Sequence, residues 1–218
     1  MKKAERVARV LEAVDTLFPD AECELIHHNA FELLIAVVLS AQTTDKSVNQ
    51  VTPVLFQKYP TPEALANASL EELEQSLKRI GLYRNKAKNV KRLSQELVER
   101  FDGHVPQTRE ELTSLPGVGR KTANVVLSDA FGVPALAVDT HVERVSKRLK
   151  LAKKEDSVLD VERKLCREIP RTRWTRTHHQ LIFFGRYFCK ATAPSCADCP
   201  LFDICTEPLR LKRRPIEV

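Results

Sequence analysis

Leu115-Pro116-Gly117-Val118-Gly119-Arg120-Lys121-Thr122-Ala123 decides how this chain of 218 residues is read. Apolar residues at helical spacing flank it on both sides. Pro116 does not continue a helix and two glycines in three residues permit a very tight turn, so the stretch predicts a helix-hairpin-helix. A residue without Cβ lets a ligand approach the backbone, and the amides opening the second helix favour an anion there. A Pro-Gly pair alone would read as an ordinary helix connector. The full nine-residue string, in a chain of net charge +6, points instead to a phosphate held at Gly117, Val118, Gly119 and Arg120 without sequence preference. Lys121 falls in the first turn of the second helix, where the positive end of the helix dipole makes a cation misplaced. A nucleophilic amine needs desolvation or positive neighbours such as Arg120, whereas a lysine that only touches phosphate needs neither.

Outward from the hairpin the pattern stays helical. Val7, Val10, Leu11, Val14, Leu17 and Phe18 recur at three- and four-residue spacing, and Pro19 ends that helix. Phe31 to Leu39 is an almost unbroken apolar run, too short for a bilayer and suited to a helix buried on all sides. Ser69 with Glu72, and Thr108 with Glu111, read as capping boxes; Gly81 and Gly132 sit where left-handed helix ends belong. Further helices are predicted over 87–101, 121–131, 140–149, 157–169 and 173–188. With about ten helices and no strand pair, the class is all-α. The excess of 35 Lys and Arg over 29 Asp and Glu favours a polyanionic partner, and the absence of a long apolar run implies a soluble, cytoplasmic chain with no membrane partner.

Leu136-Ala137-Val138-Asp139-Thr140-His141-Val142 places an acid between an apolar stretch and a new helix. Asp139 reads as an N-cap, and the capping amides would also fix its carboxylate for an electrostatic task. His141, in the turn after it, faces either solvent or a nucleic acid. Gly81-Leu82-Tyr83-Arg84-Asn85-Lys86-Ala87 echoes the hairpin at Gly, Arg and Ala.

Six cysteines are present, and four crowd the C-terminal segment with the spacing C-x6-C-x2-C-x5-C: Cys189, Cys196, Cys199 and Cys205. Such clustering suits a metal site better than a disulfide framework. Both tetrahedral zinc and a 4Fe-4S cluster take four thiolates; the wide outer spacing leans towards iron-sulfur without deciding. Cys23 and Cys166 stand apart and read as inert thiols.

LPGVGRKTANVV, the VDTHV after it and the four-cysteine segment together resemble the endonuclease III family of DNA glycosylases, over nearly the whole chain. The cluster spacing matches the family's cysteine for cysteine, which implies a 4Fe-4S cluster. The resemblance implies a two-domain helix-hairpin-helix glycosylase fold, with a six-helix domain over 22–132 and a cluster domain from 1–21 with 133–218. It implies a monomeric base-excision enzyme acting on damaged double-stranded DNA. By the same match Lys121 attacks C1′ of a flipped nucleoside and Asp139 assists, with oxidised or ring-saturated pyrimidines as substrates. Gln42 and Leu82, each on a turn between helices, would enter the duplex, Leu82 as an apolar wedge and Gln42 facing the orphaned base. A leucine at a helix end packed inward is the plainer reading of Leu82, and a turn residue that of Gln42. An adenine-mismatch glycosylase lacks lysine at the hairpin position; a non-catalytic iron-sulfur DNA-binding or redox-sensing protein has no use for Lys121 with Asp139.

Overall fold

The computed structural model describes residues 1–213, so the last five residues of the expected cluster domain lie outside the described residues. It is helical throughout, with no strand among the described residues. The α-helices in chain order are α1 (Lys3–Leu17), α2 (Ala30–Leu39), α3 (Asp45–Asn49), α4 (Thr52–Lys58), α5 (Pro62–Asn67), α6 (Leu70–Leu77) and α7 (Tyr83–Phe101). They continue with α8 (Arg109–Ser114), α9 (Arg120–Phe131), α10 (Thr140–Arg148), α11 (Val158–Glu168) and α12 (Trp174–Phe183). None of these is long and apolar enough to cross a membrane.

Two units divide the chain: Cys23–Val133, and Met1–Glu22 joined by the segment from Pro134 onward. In the first, α2 is the axis. Every residue from Phe31 to Leu39 is buried, Glu32 included, as a helix apolar nearly all round requires. Asn29 caps it by accepting the Glu32 amide at 2.9 Å. Packed on α2 are α7 and α9, while α5 and α6 lie along α7 and α8 pairs with α9.

In the second unit Val7, Val10 and Val14 of α1 share a core with Val142 and Val145 of α10, Val161 and Leu165 of α11, and Leu181 and Phe184. Two arginines of α1 tie it to the C-terminal segment. Arg6 donates to Leu149 O at 3.1 Å and Ile204 O at 2.8 Å, and Arg9 makes a two-pronged contact with Asp203 at 2.7 and 3.0 Å.

Local readings differ from the structure at three places. Ser69 and Thr108 do cap α6 and α8, each accepting the amide three residues on at 3.2 Å. The reciprocal half of the box is missing at both: the Glu72 carboxylate goes to Lys58 and Tyr59, at 3.1 Å each, and that of Glu111 accepts from the Thr108 hydroxyl at 2.6 Å. Gly81 is not a left-handed end; that conformation passes to Leu82, and α7 starts at Tyr83, four residues earlier than the periodicity suggests. The helix expected over 173–188 is three pieces: a 3₁₀ turn at Arg171–Arg173, α12, and a π-helical turn at Phe184–Phe188.

Candidate active site

The hairpin between α8 and α9 is held by its own turn. Gly117 has φ +77°, and a Cβ there would stand 3.3 Å from Val38 Cγ1 on α2. Glycine is therefore required both for conformation and for closeness. Val118 is buried and its amide is spent on Leu115 O at 3.1 Å, so it stiffens the turn and offers neither side chain nor N–H to a ligand. Gly119 is the N-cap of α9, and a Cβ on it would meet nothing within 4 Å. The first amides of a helix have no acceptor inside it, and at Gly119 no side chain crowds an approach to them. Arg120 and Lys121 are both exposed.

Asp139 is the N-cap of α10. Its Oδ1 accepts from the amides of His141 at 2.9 Å and Val142 at 2.8 Å. Both bonds fall on one oxygen, which fixes the carboxylate and leaves Oδ2 for another task. The His141 ring turns inward: Nδ1 accepts from Arg144 Nη2 at 3.3 Å, and its Cβ lies against Gly185, where an added Cβ would approach to 2.8 Å. Only its other ring nitrogen remains for a nucleic acid.

Gln42 and Leu82 share an uncommon backbone. Both are exposed and left-handed, with φ 55° and 59°. The two other non-glycine residues with positive φ, Asp102 and Lys150, follow helix C-termini, where that conformation is ordinary. A leucine held left-handed at a helix N-cap, 56% exposed, is strained as well as badly placed for packing, and such residues concentrate at functional sites. The inward-packed reading of Leu82 is excluded.

Cys189, Cys196, Cys199 and Cys205 line one pocket. Cys189 closes the π-helical turn, its amide reaching Phe184 O at 2.6 Å. Burial pushes the Cys199 thiol up to about 11, and it raises Cys205 as well. Four convergent thiols, two of them kept protonated by burial, suit a metal centre whose charge would remove their protons. Sequence reasoning missed the arginines that brace this segment. From α10, Arg144 donates to Gly185 O at 2.7 Å and Cys189 O at 3.2 Å. Arg148, buried one turn on, donates to Cys189 Sγ at 3.4 Å, Lys190 O at 2.8 Å and Ala191 O at 3.0 Å, and pairs with Glu207 at 2.7 Å. Their i, i+4 spacing was the available signal, hidden among many surface cations.

The HhH-GPD superfamily model, described as base excision DNA repair protein, matches residues 35–171. Endonuclease III of Bacillus subtilis strain 168 is 58% identical over 207 residues, covering 95% of this chain and 94% of the relative. The chain belongs to the endonuclease III family. Endonuclease III of Escherichia coli K12 is 44% identical over 205 residues, 94% of this chain and 96% of that one. Among solved structures, a trapped endonuclease III–DNA covalent intermediate superposes with a TM-score of 0.93 at 56% identity, over 98% of this chain and 99% of that one. As an endonuclease III family member the chain is a base-excision repair enzyme, a DNA glycosylase and abasic-site lyase. Cys189, Cys196, Cys199 and Cys205 are consistent with an iron-sulfur cluster.

Proposed function

We propose that this enzyme removes oxidised or ring-saturated pyrimidines, such as thymine glycol, from double-stranded DNA in the cytoplasm, acting as a monomer with Lys121 as nucleophile. The observation that carries the proposal is the position of Lys121, one residue into α9 and directly behind its N-cap, Gly119. A phosphate seated on the first amides of α9 brings the sugar-phosphate backbone to the lysine. Lys121 is exposed in the chain by itself, so the dry surroundings that a nucleophilic amine needs come with the bound DNA.

In this reading the damaged nucleotide is flipped out, at a cost of about a few kcal/mol that damage lowers. The Lys121 Nζ lone pair attacks C1′, the C1′–N bond breaks, and the base leaves with a proton. Asp139 takes the proton shed by the amine or stabilises the positive charge developing at C1′; the amides on Oδ1 hold the carboxylate still for it. Opening of the sugar ring gives an iminium between Lys121 and C1′. Loss of a C2′ proton then expels the 3′ phosphate by β-elimination, and hydrolysis of the imine frees the lysine. Gln42 and Leu82 fill the gap in the duplex.

The cysteines fit a 4Fe-4S cluster in number and convergence, held by Cys189, Cys196, Cys199 and Cys205. When bound, it staples a segment that has little regular structure of its own.

Borohydride reduction during reaction with abasic-site DNA tests the nucleophile. Wild type is expected to become covalently attached. Lys121→Gln is expected to lose attachment and base excision by at least about a thousandfold while still binding damaged duplex, since the hairpin amides survive. Covalent capture by the glutamine variant would refute the assignment.

A further inference from the structure

Lys86 and Arg148 are the only buried cationic side chains among the described residues. Arg148 braces the cysteine segment. Lys86 has no part in the chemistry above, yet it is just 4% exposed in the first turn of α7. Lysine normally extends its ammonium to water, so an amine kept inside needs a reason. Burial lowers its pKa, and no carboxylate among the described residues offsets it.

Its contacts supply the reason. The Lys86 backbone amide donates to Leu82 O at 3.0 Å, fixing the N-cap, and its ammonium donates to the hydroxyl of Thr43, the residue after Gln42. The Thr43 amide in turn holds Ser40 O at 3.0 Å. One lysine therefore joins two turns 40 residues apart, and each turn carries an exposed left-handed side chain, Gln42 or Leu82. We infer that Lys86 is a positioning residue: it ties the Gln42 turn to the Leu82 turn, so that both side chains are presented to the duplex as one preformed unit. Turns already tied have little freedom left to lose when the base is extruded, which speeds a step that two loose turns would slow.

The inference rests on the reading that Gln42 and Leu82 enter the duplex, and its test separates the two. Single-turnover excision of thymine glycol paired with adenine is compared with cleavage at a preformed abasic site, for Lys86→Met, Thr43→Val, the double variant and Leu82→Ala. Each single change at the tether is expected to slow the paired lesion about tenfold and abasic-site cleavage much less, because a charged hydrogen bond is lost and only the paired substrate requires extrusion. The double variant is expected to be no slower than the worse single, since both cut the same contact. A selective loss in Leu82→Ala without one in the tether variants would overturn the tether alone. No selective loss in Leu82→Ala would overturn both. Equal losses on both substrates with a large fall in melting temperature would make Lys86 a packing residue. A salt dependence of binding weakened by about one phosphate contact would make it a DNA ligand.

Discussion

At Asp139 a structural and a chemical task meet in one carboxylate, and substitutions can part them. Asparagine keeps an oxygen able to accept from the His141 and Val142 amides, and ranks with aspartate as an N-cap. Asp139→Asn is expected to change stability by less than about 1 kcal/mol, the helix-dipole contribution of one charge. Base excision, which needs the charge, should fall by about a hundredfold or more. Asp139→Ala should lose both, with a further stability cost of about 0.5–2 kcal/mol for the cap. Denaturant unfolding alongside excision rates checks this; equal destabilisation by Asn and Ala would reduce Asp139 to a cap. Lys121 and Asp139 were legible because each stands at a helix start marked by glycine, proline or a following polar residue. Lys86, Arg144 and Arg148 were not: their partners lie about 40 residues away, and no local pattern announces which lysine among many turns inward.

The hairpin is the element whose two glycines have separable duties. Gly117 is left-handed and crowded against Val38, whereas Gly119 is extended and opens on empty space. Gly117→Ala is expected to cost roughly 1–2 kcal/mol of stability from the left-handed backbone alone. Gly119→Ala should cost less, about 0.5–1 kcal/mol, and yet weaken binding to damaged and undamaged duplex alike, because its methyl group intrudes where the phosphate approaches. Titration of both DNAs together with thermal melting distinguishes them; a Gly119 variant that binds normally would move the phosphate elsewhere. Long periodic helices and the almost wholly apolar α2 could be read from sequence, since their pattern is set by one buried face or by burial all round. The breaks could not. Leu82 opens α7 in a conformation that propensity disfavours, and the helix running on from α12 relaxes into a π turn where Gly185 lets α10 pack close at His141.

For the molecule as a whole, the all-α class followed from helical periodicity and the family from three motifs between residues 115 and 205, and the homologues agree with both. The metal question shows why composition alone stopped short. Zinc and iron-sulfur both accept four thiolates, and spacing does not report the bulk of what they enclose. The structure adds a mechanical argument. Cys189 ends the π turn, and Arg144 and Arg148 of α10 grip the carbonyls around it, so the cysteine segment is coupled to the helix that Asp139 caps. Without a metal–thiolate centre, buried Arg148 keeps only Glu207 among the described residues as an anionic partner and the four cysteines hold nothing in common. The purified enzyme is therefore expected to be brown, with about four iron atoms per chain by metal analysis. Cys199→Ser should lower the yield of folded protein more than the rate constant of whatever fraction folds, as a lost staple does. Iron content, melting temperature and excision rate per folded molecule measure this together. Stoichiometric zinc in a colourless protein would replace the cluster, and a well-folded Cys199→Ser enzyme with an impaired rate constant would give the centre a chemical part.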